Sequence, residues 1–97
     1  MKIRFSRIAV YKLDRISEYL ILNWSESSND KFLNKLISTL ESIRLNPKIY
    51  PESILVSGLR RCVFSKQTSF LYQTYPDSNY ILTIFDSRQD PKKFEKK

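Results

Sequence analysis

The chain has no histidine, one cysteine and one glycine among its 97 residues. Without imidazole, histidine acid–base catalysis is excluded, and a structural zinc site loses its usual nitrogen ligand. The lone thiol of Cys62 can form no intramolecular disulfide and no thiolate cluster. No apolar run approaches the roughly 20 residues that a membrane-spanning helix requires. The opening MKIRFSRIAV has basic residues but lacks the long apolar segment of a secretory signal. So little glycine, together with six tyrosines, is not the composition of a disordered chain. The expectation is a cytoplasmic protein with no membrane contact, no metal and no cofactor.

What is present is positive charge. Seventeen lysines and arginines against ten acidic residues give a net charge of +7. The excess is spread over both halves of the chain. Such a field favours nucleic acid or an acidic protein partner, although many small soluble proteins are simply basic.

The length suits one domain over residues 1–97, with a short basic tail at about 91–97. There is no repeat or internal linker. KIRFS, residues 2–6, alternates and reads as an edge strand, with Ser6 as a helix cap. Ala9, Leu13, Ile16, Leu20 and Trp24 recur at helical spacing, which predicts a helix over about 7–24 with Trp24 in the core. SESSND, residues 25–30, reads as a turn. Phe32, Leu36, Leu40 and Ile43 predict a second helix over about 29–46, broadened by Leu33 and Ile37 and stopped by Pro47. PKIYPESILVSG reads as a crossing loop. The period then becomes two. LRRCVFS (59–65), SFLYQTY (69–75) and YILTIFD (80–86) are predicted strands, turning at KQT and PDSN. The third is apolar enough to be a central strand. This order describes an α+β domain.

Several side chains are candidates for function. Arg60 and Arg61 leave opposite faces of one strand, and parity alone does not choose between them. Arg88 lies just past the last strand. It either forks onto a phosphate or carboxylate, or pairs with Asp86 or Asp90 and pins the turn. Lys66, Lys92 and Lys93 can contact a phosphate backbone or serve only as solvated charge. Phe94 can stack on a base or pack on its own domain. Glu52 and Asp86 are carboxylates able to accept a proton if burial raises their pKa, and contact with Arg88 would do the reverse to Asp86. Cys62 reads as a small buried hydrophobe.

With these segments in view, the chain resembles the RelE/ParE superfamily, the toxin halves of bacterial type II toxin–antitoxin pairs. The resemblance spans nearly the whole chain. It includes the basic first strand, NWSESSNDKF in the hairpin, the PKIYPES crossing, GLRRCVFSKQTSFLYQ, and ILTIFDSRQDPKKF. It implies an N-terminal strand, an antiparallel helical hairpin, and a three-stranded antiparallel meander completing a small sheet. It also implies a cognate antitoxin with an acidic binding segment, and a higher-order toxin–antitoxin complex.

The superfamily divides by target. The R-Q-D-P ending resembles ParE-like members, which inhibit DNA gyrase or a related topoisomerase by binding. The alternative is the RelE-like branch, metal-independent endonucleases that cut mRNA on the ribosome. For that branch the resemblance implies Arg61 and Arg88 at the scissile phosphate, Lys66 beside them, and Glu52 or Asp86 as proton acceptor. Asp86 stands where many relatives have histidine. Phe94 stands where several have a tail tyrosine, and it cannot transfer a proton. A third reading is a degenerate toxin kept for antitoxin binding or regulation.

Overall fold

The structure, a computed structural model, describes residues 2–54 and 56–89. Its elements in chain order are β1 (Lys2–Phe5), α1 (Arg7–Asn23), α2 (Glu26–Leu45), β2 (Leu59–Val63), β3 (Thr68–Thr74) and β4 (Ser78–Asp86). A single 3-10 turn, Ser87–Gln89, follows. The strands form one sheet in the order β1-β4-β3-β2. β2, β3 and β4 make the antiparallel meander, and β1 joins β4 in parallel. β4 is therefore central and β1 is an edge, as the sequence pattern predicts.

Both helices carry the apolar stripe that sends one face inward. Ala9, Ile16 and Leu20 of α1, with Leu36 and Ile43 of α2, are buried together with Cys62, Phe70, Tyr72, Ile81 and Ile84 of the sheet. A run of tilted aromatic contacts ties α2 to β3. Phe32 meets Phe64 at 5.8 Å, Phe64 meets Phe70 at 5.8 Å, and Phe70 meets Tyr72 at 6.0 Å. Each such pair contributes about 0.5–1.5 kcal/mol beyond its buried area. Cys62 lies fully buried in this layer. Burial pushes its thiol up to about 11, partly offset by a hydrogen bond with Tyr50, so the thiolate is negligible at neutral pH.

The near-continuous apolar character of β4 has a specific cause. Leu71 pairs with Thr83 while Tyr72 pairs with Ile81, which leaves Leu82 without an opposite residue. This β-bulge shifts the alternation by one residue. As a result Ile81 and Ile84, which strict alternation would send to opposite faces, are both buried. The bulged residue's carbonyl is not orphaned, because the Ser6 hydroxyl donates to Leu82 O at 2.6 Å. The Ser6 hydroxyl oxygen in turn accepts from the Ala9 backbone N–H at 2.9 Å and caps α1.

Two local expectations are corrected. SESSND is not a turn, since α2 begins at Glu26 and Ser25 is its cap, accepting from Ser28 N at 3.0 Å. Ser, Asn and Asp serve a helix's first turn as well as a loop, so composition did not separate the two. Trp24 is not in the core but 66% exposed. Helical geometry ends at Asn23, and φ −127°, ψ −89° at Trp24 turn the chain away before the apolar face can continue.

Between α2 and β2 the chain crosses the end of the sheet. Tyr72 donates to Pro47 O at 2.8 Å and Arg60 Nη1 donates to Tyr50 O at 2.7 Å, and together they hold the crossing down. Glu52 forms a single antiparallel bridge with Arg60. Gly58, at φ +89°, makes the turn into β2 in a region that other residues rarely adopt.

Because Ser6 serves two elements with one hydroxyl, Ser6→Ala should cost about 1–2 kcal/mol. Thermal unfolding should fall by roughly 4–8 °C per kcal/mol for a domain of this size. An unchanged midpoint would refute the double role.

Candidate functional site: a basic groove on the open sheet face

Directly paired residues share one face of a sheet. Arg61, Leu71 and Thr83 form one such row, and Val63, Ser69 and Phe85 form the next. The alternate rows, Cys62–Phe70–Ile84 and Thr68–Asp86, point into the core side. The sheet therefore presents a second face that carries Arg61 and two exposed apolar side chains, Val63 at 57% and Phe85 at 48%.

α1 supplies one wall of a groove on this face. β1 stops pairing at Phe5, so the later half of β4 has a free side that α1 occupies. Lys12 Nζ donates to Thr83 Oγ1 at 3.0 Å and sits 4.7 Å from the centre of the Phe85 ring. Arg15, one turn on, donates to Tyr11 Oη at 2.9 Å and borders the same groove. Arg61 from β2 and Lys66 from the β2–β3 turn complete the basic rim of a cavity of about 540 Å³. A second cavity of about 500 Å³ lies beside it, lined by Glu52, Ile54, Arg61 and Val63. Arg61 stands between the two. Its guanidinium has no ion-pair partner among the described residues.

Asp86 and Arg88 are committed to each other. The strand ends at Asp86, and the 3-10 turn folds Arg88 back instead of extending it beyond Ile84. Arg88 Nη2 and Nε donate to the two Asp86 oxygens at 2.6 and 3.0 Å. The Arg88 backbone N–H and the Thr68 hydroxyl donate to the same carboxylate at 2.9 and 2.8 Å. Burial alone would push the Asp86 carboxyl up. The Arg88 fork, the Thr68 hydroxyl and the Arg88 N–H outweigh it, so the carboxyl lies below the usual aspartate value. The same fork raises Arg88. Asp86 borders the groove as a carboxylate whose lone pairs are already used, and Arg88 does not line the groove.

Arg61, Lys66 and Asp86 are thus brought to one groove, with Glu52 on the neighbouring one. Arg60 is on the core side, holding the crossing loop. Lys92, Lys93 and Phe94 lie outside the described residues. Sequence reasoning missed Lys12, Arg15 and Phe85. The available signal was the three-residue spacing of Lys12 and Arg15 beside buried Ile16, which places both on one flank of α1.

Residues 3–91 match the family described as the ParE toxin of the type II toxin–antitoxin system parDE. This chain belongs to the ParE toxin family. Among solved structures, it is similar to one from the chromosomal ParDE system of P. aeruginosa. The TM-score is 0.74 and the identity 16%, covering 89% of this chain and 95% of that one. It is also similar to the YoeB dimer of Staphylococcus aureus, with a TM-score of 0.62 and 17% identity, covering 88% and 94%. At these identities the likeness is one of fold. A search of curated proteins returns no match. The ParE membership bears out the RelE/ParE resemblance read from the sequence.

The Asp86–Arg88 pair sets a pH dependence. Its folded carboxyl pKa is depressed, so its contribution to stability is complete above the unfolded value of about 4. That contribution is lost as pH falls through the folded value. Asp86→Asn should flatten this acid limb in urea denaturation. It should also cost about 1–3 kcal/mol at neutral pH, less than a fully buried pair because a quarter of Arg88 remains in water. An acid limb unchanged in the variant would show that the pair is not its source.

Proposed function

We propose that this ParE-family chain is a growth-inhibiting toxin, held inactive by a cognate antitoxin, that acts by binding DNA gyrase or a related topoisomerase. The observation that carries this reading is the spent carboxylate at Asp86. At the position where nuclease relatives are expected to hold a proton-transferring side chain, this carboxylate is lowered in pKa and filled by Arg88 and Thr68. A group in that state is a poor general base at neutral pH. A binding toxin needs only a docking surface.

Charge and exposed apolar side chains support an antitoxin partner. Ile8, Tyr11 and Leu22 recur along one exposed stripe of α1. With a net charge of +7, this suits an acidic amphipathic segment laid against the helix. Higher-order assembly of the pair follows the same reading.

One observation favours a second reading, ribosome-dependent mRNA cleavage. Glu52 and Arg61 line one cavity, where a carboxylate can take a proton and an arginine can hold a phosphate.

Expression without the antitoxin should arrest growth. The purified chain should abolish gyrase supercoiling while leaving ribosome-bound transcripts whole. Cleaved transcripts, with cleavage lost in Glu52→Gln, would overturn the proposal in favour of the second reading. Unimpaired growth would indicate a degenerate toxin.

A further inference from the structure

The buried stripe of α1, Ala9, Ile16 and Leu20, packs in the core. The solvent side of the same helix carries a second stripe. Ile8, Tyr11, Arg15, Glu18 and Leu22 follow one another in alternating steps of three and four residues, the spacing of a coiled-coil seam. All five are exposed, with Ile8 at 59%, Tyr11 at 60% and Leu22 at 77%. The two charges stand in the middle of the seam and the apolar side chains stand at its ends. Arg15 is drawn along the seam, since it donates to Tyr11 Oη at 2.9 Å and its guanidinium lies 5.8 Å from the centre of the Tyr11 ring.

We propose that this stripe pairs with the same stripe on a second copy of the chain, the two α1 helices running antiparallel about a two-fold axis between Arg15 and Glu18. In that register each Arg15 meets the partner's Glu18, and each Tyr11 meets the partner's Leu22. A charged centre flanked by two apolar layers is self-complementary, as an isologous interface must be. Parallel helices would set arginine on arginine and glutamate on glutamate, and like charges reject that arrangement. The charges thus fix direction and register more than strength. Strength comes from the Tyr11 and Leu22 side chains. One exposed stripe of a 17-residue helix is a small contact, so the pair dissociates readily. An acidic segment on this stripe would meet Glu18 with like charge, whereas a second copy answers it with Arg15. The pairing goes beyond the topoisomerase reading and does not depend on it. It shares its stripe with the antitoxin segment proposed above, so the two occupants exclude each other and self-pairing belongs to the antitoxin-free chain.

The test is sedimentation velocity of the purified chain from about 2 to about 200 µM in about 0.15 M salt, which screens the repulsion between two copies of charge +7 beyond about 8 Å. Wild type should move from the monomer mass toward twice that mass as concentration rises. Glu18→Arg and Arg15→Glu should each weaken association at least about tenfold. These two variants shift net charge in opposite directions, so a shared loss cannot come from net charge. The swap Arg15→Glu/Glu18→Arg rebuilds the central pairs in the opposite sense and should restore the wild-type behaviour. Leu22→Ala, which leaves both charges in place, should weaken association about tenfold. Far-UV circular dichroism of each variant separates lost association from lost fold. The proposal is overturned if wild type keeps the monomer mass throughout, or if Glu18→Arg and Leu22→Ala associate as wild type does. It is also overturned if the folded swap variant stays monomeric.

Discussion

The fold turns on the place where β1 becomes α1. There, the Ser6 hydroxyl donates to the carbonyl of bulged Leu82 and accepts from the Ala9 N–H. Ser6 N also donates to Ile81 O at 2.9 Å, which closes the parallel pairing just before the helix starts. A hydroxyl can donate once and accept twice, and here it joins an edge strand, a helix and a central strand. This junction sets α1 along the side of β4 that β1 leaves free. Lys12 and Arg15 reach the open face only because the helix begins there.

The arginines divide into structural and accessible sets. Arg60 and Arg88 are spent within the molecule, one on the Tyr50 carbonyl and the other on Asp86. Arg61 belongs to the groove, and Lys12, Arg15 and Lys66 border it with Arg61. The separation has an electrostatic logic. A buried carboxylate is costly unless it is paired, so Asp86 takes the guanidinium two residues on, while Arg61 in the groove has no ion-pair partner among the described residues. Internal neutralisation thus leaves the open face more positive.

Much of the scaffold was legible because period is a direct imprint of burial. The three- and four-residue spacing of Ala9, Leu13, Ile16 and Leu20 gave α1, and the swing to period two after Gly58 gave the meander. The failures have local causes. Trp24 fell on the extrapolated helix stripe, but capping ended the helix one residue earlier. The bulge at Leu82 was invisible because a near-continuously apolar strand shows too little alternation for a break to be seen. Lys12 and Arg15 looked like an ordinary solvated flank, since a sequence does not say which strand a helix will lie beside. The two fates of Arg88 were both open in the sequence, and the turn at Ser87 selected pairing with Asp86.

The misplacement of Trp24 has an optical consequence. The chain's single indole already sits mostly in water at the turn between the helices, so unfolding changes its surroundings little. Its emission is therefore insensitive to loss of the fold and sensitive to whatever covers the hairpin tip. The molecule carries a built-in chromophore for association, whereas its six tyrosines, several of them packed in or against the sheet, are better placed to register denaturation.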